Sequence, residues 1–270
     1  MKNNFLVLMA IAISSCFTSC TKEDLLEATD NSAVEASASI ELANELDIKT
    51  GNEISLDNST SKIATAKSAS VLCYTITSDS EYSEFPRTFY VDFGTGCTNA
   101  NGITRKGKLK ITFTDYVDVV GSTMTIEREN YYVNNNKIEG KIEYKNTTLN
   151  EVPQWTRTVT GGIFTDTEGD VYLNSGSHTV RLTEGAGTIT LNDNTYEMIE
   201  GTHSVSKQNG GKITLTVQET LVKKFDCDYI SKGKLKVENT LFSGVIDYGN
   251  GDCDSNGVYK QNGIEFPFSM

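Results

Sequence analysis

From Val71 to the end of the chain, apolar and polar residues alternate with period two. Phe89, Val91 and Phe93 alternate with Thr88, Tyr90 and Asp92, and Leu109, Ile111 and Phe113 alternate with Lys108, Lys110 and Thr112. Successive side chains of a strand point to opposite faces, so this pattern predicts strands with one buried and one wet face. Comparable segments lie near 124–133, 138–147, 155–165, 178–183, 188–191, 196–206, 213–225, 235–239, 245–248 and 264–269. Between them stand Asn134-Asn135-Asn136, Gly161-Gly162, Asn192-Asp193-Asn194, Asn209-Gly210-Gly211 and Lys232-Gly233, read as hairpin turns because Asn and Gly accept positive φ at small cost. The expectation is an all-β domain over residues 71–270, an antiparallel meander. About a dozen twisted strands do not stay flat and open, so the meander is expected to fold into a sandwich, with a closed barrel-like sheet as the alternative.

The pattern changes before residue 71. Residues 21–70 are rich in Ser, Ala, Glu, Asp, Asn and Thr and contain no aromatic side chain, so residues 20–70 read as an acidic, flexible tether. Inside it Val34, Ala38, Leu42 and Leu46 form an i, i+4 stripe with Ile40 and Ala43 beside it, and Asn31 or Ser32 stands where a cap belongs. This predicts a short amphipathic helix, either transient or docked on the domain's apolar face. Residues 1–19 read as a signal peptide: Lys2 gives the charged head, and the apolar run from Phe5 to Ile13 is too short to span a bilayer. Small residues precede Cys20, which is the arrangement of a lipoprotein cleavage site, so Cys20 is the expected lipidated residue. Cys16 is the runner-up, and an ordinary cleaved signal peptide is the third reading. Acyl chains on Cys20 would anchor the protein to a membrane without spanning it. The net charge of −12 argues against nucleic acid as a partner.

Two stretches are near copies. Val91-Asp92-Phe93-Gly94-Thr95-Gly96-Cys97 leads to an expected turn at Asn101-Gly102 and to Gly107, and Ile246-Asp247-Tyr248-Gly249-Asn250-Gly251-Asp252-Cys253 leads to an expected turn at Asn256-Gly257 and to Gly263. An earlier cysteine precedes each, at 97 − 73 = 24 and 253 − 227 = 26 positions. That spacing predicts disulfides Cys73–Cys97 and Cys227–Cys253, with Cys73–Cys227 and Cys97–Cys253 as the alternative. Asp252, Asp254 and Asn256 match the opening of a calcium loop. Position twelve is Gly263 instead of the usual Glu, and the first copy puts Cys97 where an acid belongs, so turn geometry is the preferred reading and calcium the weaker one.

Candidate chemistry is sparse. His178 and His203 fall on different strands among Ser, Thr and Gly, with no nucleophile elbow nearby, and read as surface residues of a wet face. Glu127 with Glu129, and Glu139 with Glu143, have the spacing of paired carboxylates that could serve glycoside hydrolysis. Tyr131-Tyr132 places rings on opposite faces, and Trp155, Tyr116, Tyr144 and Tyr172 are candidates for an outward aromatic set; of these Trp155 and Tyr132 are the glycan-contact candidates.

Asp92 to Cys97, Asn101-Gly102, Arg105 to Lys108, Asn130-Tyr131-Tyr132-Val133-Asn134 and Asp247 to Asp254 together resemble a family of uncharacterised Bacteroidota outer-membrane lipoproteins. Thr21-Lys22-Glu23-Asp24, directly after Cys20, resembles the surface-export signal of such lipoproteins. The resemblance implies a lipid-anchored β domain with no established activity and no catalytic residues to transfer. The function expected is a binding or structural role in the outer envelope, at the cell surface or else facing the periplasm, without catalysis or cofactor. The partners are the outer membrane through the acyl chains, and a glycan or another envelope protein. A glycan-binding accessory protein and an extracellular hydrolase are the alternatives.

Overall fold

The computed structural model describes residues 31–59, 73–79, 84–188 and 190–270. Residues 1–30, which include the expected signal peptide, Cys16 and Cys20, lie outside the described residues. So do 60–72.

The period-two segments form one antiparallel sheet of fourteen strands. They are β1 (Thr75–Ser78), β2 (Arg87–Asp92), β3 (Cys97–Thr98), β4 (Thr104–Phe113), β5 (Thr123–Val133), β6 (Asn136–Asn146), β7 (Gln154–Thr165), β8 (Val171–Glu184), β9 (Thr195–Lys207), β10 (Lys212–Lys224), β11 (Lys232–Glu238), β12 (Ser243–Asn250), β13 (Asn256–Gln261) and β14 (Ile264–Ser269). The order is that of the chain, except that β3 pairs beside β4, off the main path. The all-β, antiparallel, sandwich-like arrangement is therefore found. The barrel is not, because β1 and β14 end the sheet and do not pair with each other.

One helix, α1 (Ser32–Ser59), precedes the strands. At 1.5 Å per residue it is about 42 Å long. It is not part of a tether: the compact unit begins at Ser32, and α1 lies in its interior. Val34, Ala38, Leu42 and Leu46 are buried as the stripe requires, but so are Ser37, Glu41, Asn44, Asp47 and Thr50 on the other sides of the helix. Burial all round distinguishes a core helix from a surface one. The sheet supplies the enclosure. Register shifts occur in every pair from β4·β5 to β11·β12. Each such bulge bends its strand and increases the local twist, so a row of them curls the sheet around the helix. Gly107 occupies one, at φ 85°, where an added Cβ would collide with the backbone of Asn130 on β5.

Several expected turns are something else. Gly161-Gly162 is a bulge inside β7, and Lys232-Gly233 opens β11 with another. Of the strand expected at 188–191, residue 189 lies outside the described residues, and Thr188, Thr190 and Leu191 belong to the β8–β9 loop, where the Thr188 hydroxyl lies within hydrogen-bonding distance of Gly185 O and Asp193 Oδ1. Asn256-Gly257 starts β13 instead of turning the chain, and Gly257 lies under the Phe268 ring of β14. Asn134-Asn135 is the expected hairpin turn, with φ of 49° and 68°.

Candidate functional site

Polar side chains of α1 need partners in an apolar interior, and the strands provide them. Arg157 of β7, 1% exposed, donates to Glu41 Oε1 at 2.6 Å, Glu41 Oε2 at 3.0 Å and Glu45 Oε1 at 2.7 Å. Arg128 of β5 donates to Asp47 Oδ2 and Asn44 Oδ1, both at 2.8 Å, and the Tyr131 hydroxyl donates to Asp47 Oδ1 at 2.5 Å. Arg105 of β4 donates to Thr50 Oγ1 at 2.9 Å. Acidic, amide and hydroxyl side chains around more than half of α1 thus meet three arginines from three strands, which fixes both the depth and the rotation of the helix.

The histidines sit here too. They are buried, not on a wet face: His178 and His203 lie on β8 and β9, their rings 5.4 Å apart, each directly opposite a glycine, Gly201 and Gly176. Arg157 Nη2 lies 3.1 Å from His178 Nδ1, and since arginine can only donate, Nδ1 must accept and the proton belongs on Nε2. His178 Nε2, both ring nitrogens of His203, Arg157 Nε and the Tyr248 hydroxyl have no hydrogen-bond partner among the described residues. Burial, with the Arg157 charge, pushes His178 down to about 2, and burial likewise pushes His203 down to about 4. Both rings are therefore neutral near pH 7. Burial alone would raise Glu41, but the charge and hydrogen bonds of Arg157 outweigh it and hold the carboxyl at about 2. For Glu45 burial wins, aided by the Glu41 charge, and its carboxyl is raised. A guanidinium paired with two carboxylates of α1 and set beside neutral imidazoles of β8 and β9 ties helix to sheet, so the cluster supplies cohesion.

Beside it, Glu45, Ile48, Lys49, Asn52, Tyr144, Val180, Tyr196, Lys223 and Phe225 line a narrow cleft of about 20 Å³, room for a water or two. Lys223 is buried, which lowers its ammonium, and it donates to the carbonyls of Lys224 and Cys227. It acts as a latch on the β10–β11 loop.

The two near copies occur at opposite ends of the strand order, and both expected disulfides form, Cys73–Cys97 and Cys227–Cys253. In both, the aspartate accepts from a glycine two residues on: Gly94 N to Asp92 at 2.8 Å, and Gly249 N to Asp247 at 3.1 Å. The first copy, though largely exposed, is tied to the β10–β11 loop. Asn99 and Asn101 donate to Asp228 Oδ2 at 2.8 and 2.7 Å, and Lys49 of α1 donates to Asp228 Oδ1 at 2.9 Å. In the second copy Asp252, Asp254 and Asn256 line an exposed hollow of about 220 Å³ with Asp247. There Asp254 accepts from its own Asn256 N at 2.8 Å, a turn contact, and no group of three or more His, Cys, Asp or Glu able to hold a metal ion occurs among the described residues.

The aromatic expectation needs correction. Trp155 is 8% exposed, stacked on Tyr144 with centroids 5.6 Å apart, and its Nε1 donates to Val117 O at 3.1 Å. It belongs to the core. Tyr144 and Tyr172 are buried as well, and Tyr132 is half-buried with Lys106 Nζ 4.3 Å from its ring centroid, which leaves little face for a sugar. Of the paired carboxylates, Glu127 is held by Lys110 and Glu139 by Lys137. What sequence reasoning missed are Arg105, Arg128 and Arg157 as helix anchors; the signal for Arg157, a cation at an inward position of an alternating strand, was present. No described helix is long and apolar enough to cross a membrane. Compared with known proteins, the chain matches no family model, no curated protein and no solved structure.

Proposed function

We propose that this chain is a lipid-anchored, surface-exposed protein of the outer envelope, with a binding or structural role and no catalysis. The observation that carries the non-catalytic part is the use to which the interior puts its titratable groups. Arg105, Arg128 and Arg157 are tied to α1, Lys223 to loop carbonyls, and His178 and His203 are buried as neutral rings. A reaction centre needs such groups facing a space that admits substrate. The cleft beside them has room for water only.

The address rests on the sequence: small residues before Cys20, Thr21-Lys22-Glu23-Asp24 after it, and the resemblance to outer-membrane lipoproteins. Two disulfides suit an oxidising compartment outside the cytoplasm. Because the domain begins at Ser32, only residues 21–31 separate Cys20 from it, a reach of about 40 Å at full extension. Metabolic labelling with an alkyne fatty acid, with Cys20→Ala as control, combined with protease shaving of intact cells, tests both halves of the address. Label at Cys20 and release of the disulfide-linked domain from intact cells are expected. Protection until the envelope is breached would place the domain on the periplasmic side, and absence of label would remove the anchor.

A further inference from the structure

We propose that the two loops at one end of the sheet, β4–β5 and β6–β7, form a preorganised docking tip for a partner protein that presents an apolar pocket rimmed by lysine or arginine. The inference rests on the binding reading above and gives it a surface. Val119, Val120, Leu149 and Val152 are exposed, Val120 and Leu149 by about two thirds (65% and 66%). Isolated apolar residues on a surface mean little, but four branched aliphatic side chains in adjoining loops make a patch.

The loops are held rigidly. Gly121 N donates to Asn146 O at 3.0 Å, Asn146 Nδ2 to Val117 O at 2.8 Å, and Trp155 Nε1 to the same Val117 O at 3.1 Å. The second loop closes with a Leu149–Val152 bridge around Asn150 and Glu151, at φ 53° and 63°. Val152 N donates to Leu149 O at 3.1 Å and Thr147 N to Gln154 O at 2.8 Å, so the turn presents Leu149 and Val152 side by side.

Two observations choose the occupant. The charged residues within 114–122 and 147–153 are Asp115, Asp118 and Glu151, all acidic, with Asp118 and Glu151 exposed; neither loop contains a lysine or arginine. An acidic rim is complementary to a basic one and unfavourable on anionic lipid. The exposed side chains are aliphatic, which have no π face for a sugar, while Trp155 is buried beneath them.

The test is site-specific photo-crosslinking in the full, lipidated chain on intact cells. The probe is placed at Val120, at Leu149 and, as an off-patch control, at the fully exposed Leu241. The same discrete adduct from Val120 and Leu149, but not from Leu241, is expected. Sequencing of the crosslinked peptides should place apolar residues beside lysine or arginine in the partner. Asp118→Lys with Glu151→Lys, and separately Val120→Ser with Leu149→Ser, should lower the adduct about tenfold or more. The thermal midpoint of these surface variants should stay that of the parent. Adducts to lipid alone, to a second copy of this chain, equally from Leu241, or none at all would overturn the proposal, as would insensitivity to charge reversal. Fatty-acid labelling at Cys20 and protease shaving of the same cells show separately whether the anchoring reading stands.

Discussion

Glu41 and Glu45 share one guanidinium, yet burial treats them differently. Glu41 receives two hydrogen bonds from Arg157 and is held at about 2, whereas Glu45 is raised because desolvation and the Glu41 charge exceed what Arg157 returns to it. Glu41→Gln should therefore cost about 3 kcal/mol, and Glu45→Gln about 1 kcal/mol or less, in urea midpoints at pH 7. Equal costs would mean that the two carboxylates act as one unit. The histidines set the acid limb. His203 is held at about 4 and His178 at about 2, both below the ordinary value of 6.5, so the unfolded chain takes up protons first as pH falls. Their contribution is fully present above about pH 6.5 and is lost progressively below it; for His203 alone the loss approaches about 3 kcal/mol by pH 4. Glu41 acts in the same direction lower down, from its unfolded value near 4.5 toward 2. His203→Leu fills a similar space without unpartnered ring nitrogens, and should flatten the fall of the thermal midpoint between pH 6.5 and 4. An unchanged slope would assign the acid limb to other groups.

At the level of elements, most strands were legible and the reason they curl was not. Alternation of Leu109, Ile111 and Phe113 with their polar neighbours is a direct consequence of strand geometry, and it located β4 to within a few residues. Bulges break that alternation, so Gly161-Gly162 and Lys232-Gly233 looked like chain reversals although both lie within strands. The strand β13 was hidden by the same signal, since Asn256-Gly257 has turn composition but opens a strand. The helix was half legible. Its apolar stripe is plain, but Glu41, Asn44, Asp47 and Thr50 have the composition of a solvated face, and only the arginines of β4, β5 and β7 turn them inward. Pairing across 55 to 116 residues leaves no local trace in a single sequence. The row of bulges makes its own prediction. Gly107 combines φ 85° with a Cβ direction blocked by the Asn130 backbone, which cannot step aside as a side chain can. Gly107→Ala should destabilise by roughly 3 kcal/mol or more, with altered amide exchange along β4·β5, whereas Gly94→Ala, also at positive φ but with open space around it, should cost about 1 kcal/mol. If both cost the same, backbone strain and not the close approach of β5 determines the effect.

For the whole molecule, the question is what keeps an open fourteen-stranded sheet closed around its helix, since β1 and β14 do not join. Asp228 is the natural answer. It stands in the β10–β11 loop next to the buried Cys227, and its two oxygens reach Lys49 of α1 and Asn99 and Asn101 of the loop between β3 and β4. Three parts far apart in sequence therefore meet on one carboxylate. Burial tends to raise it, but the Lys49 and Asn101 hydrogen bonds prevail and its carboxyl lies below the ordinary range, as expected of a charge stabilised in place. Asp228→Ala would leave the Lys49 ammonium and two amides without their acceptor, and should cost about 3 kcal/mol. The Cys227–Cys253 disulfide holds the loop that carries Asp228, so Cys227→Ser with Cys253→Ser should weaken the same junction from a distance. Beyond the loss of about 3 to 4 kcal/mol expected from chain entropy, it should increase amide exchange at residues 99–103 and in α1. The Cys73–Cys97 disulfide constrains a loop of similar length, and Cys97 is on the twin loop itself, but Cys73→Ser with Cys97→Ser leaves Asp228 and its latch Lys223 untouched. Exchange in α1 should then remain close to that of the parent. If both disulfides protect α1 equally, the sheet is closed by general compaction and not through Asp228. If only Cys227–Cys253 does, both twin loops meet at that junction, the first through its hydrogen bonds to Asp228 and the second through Cys253.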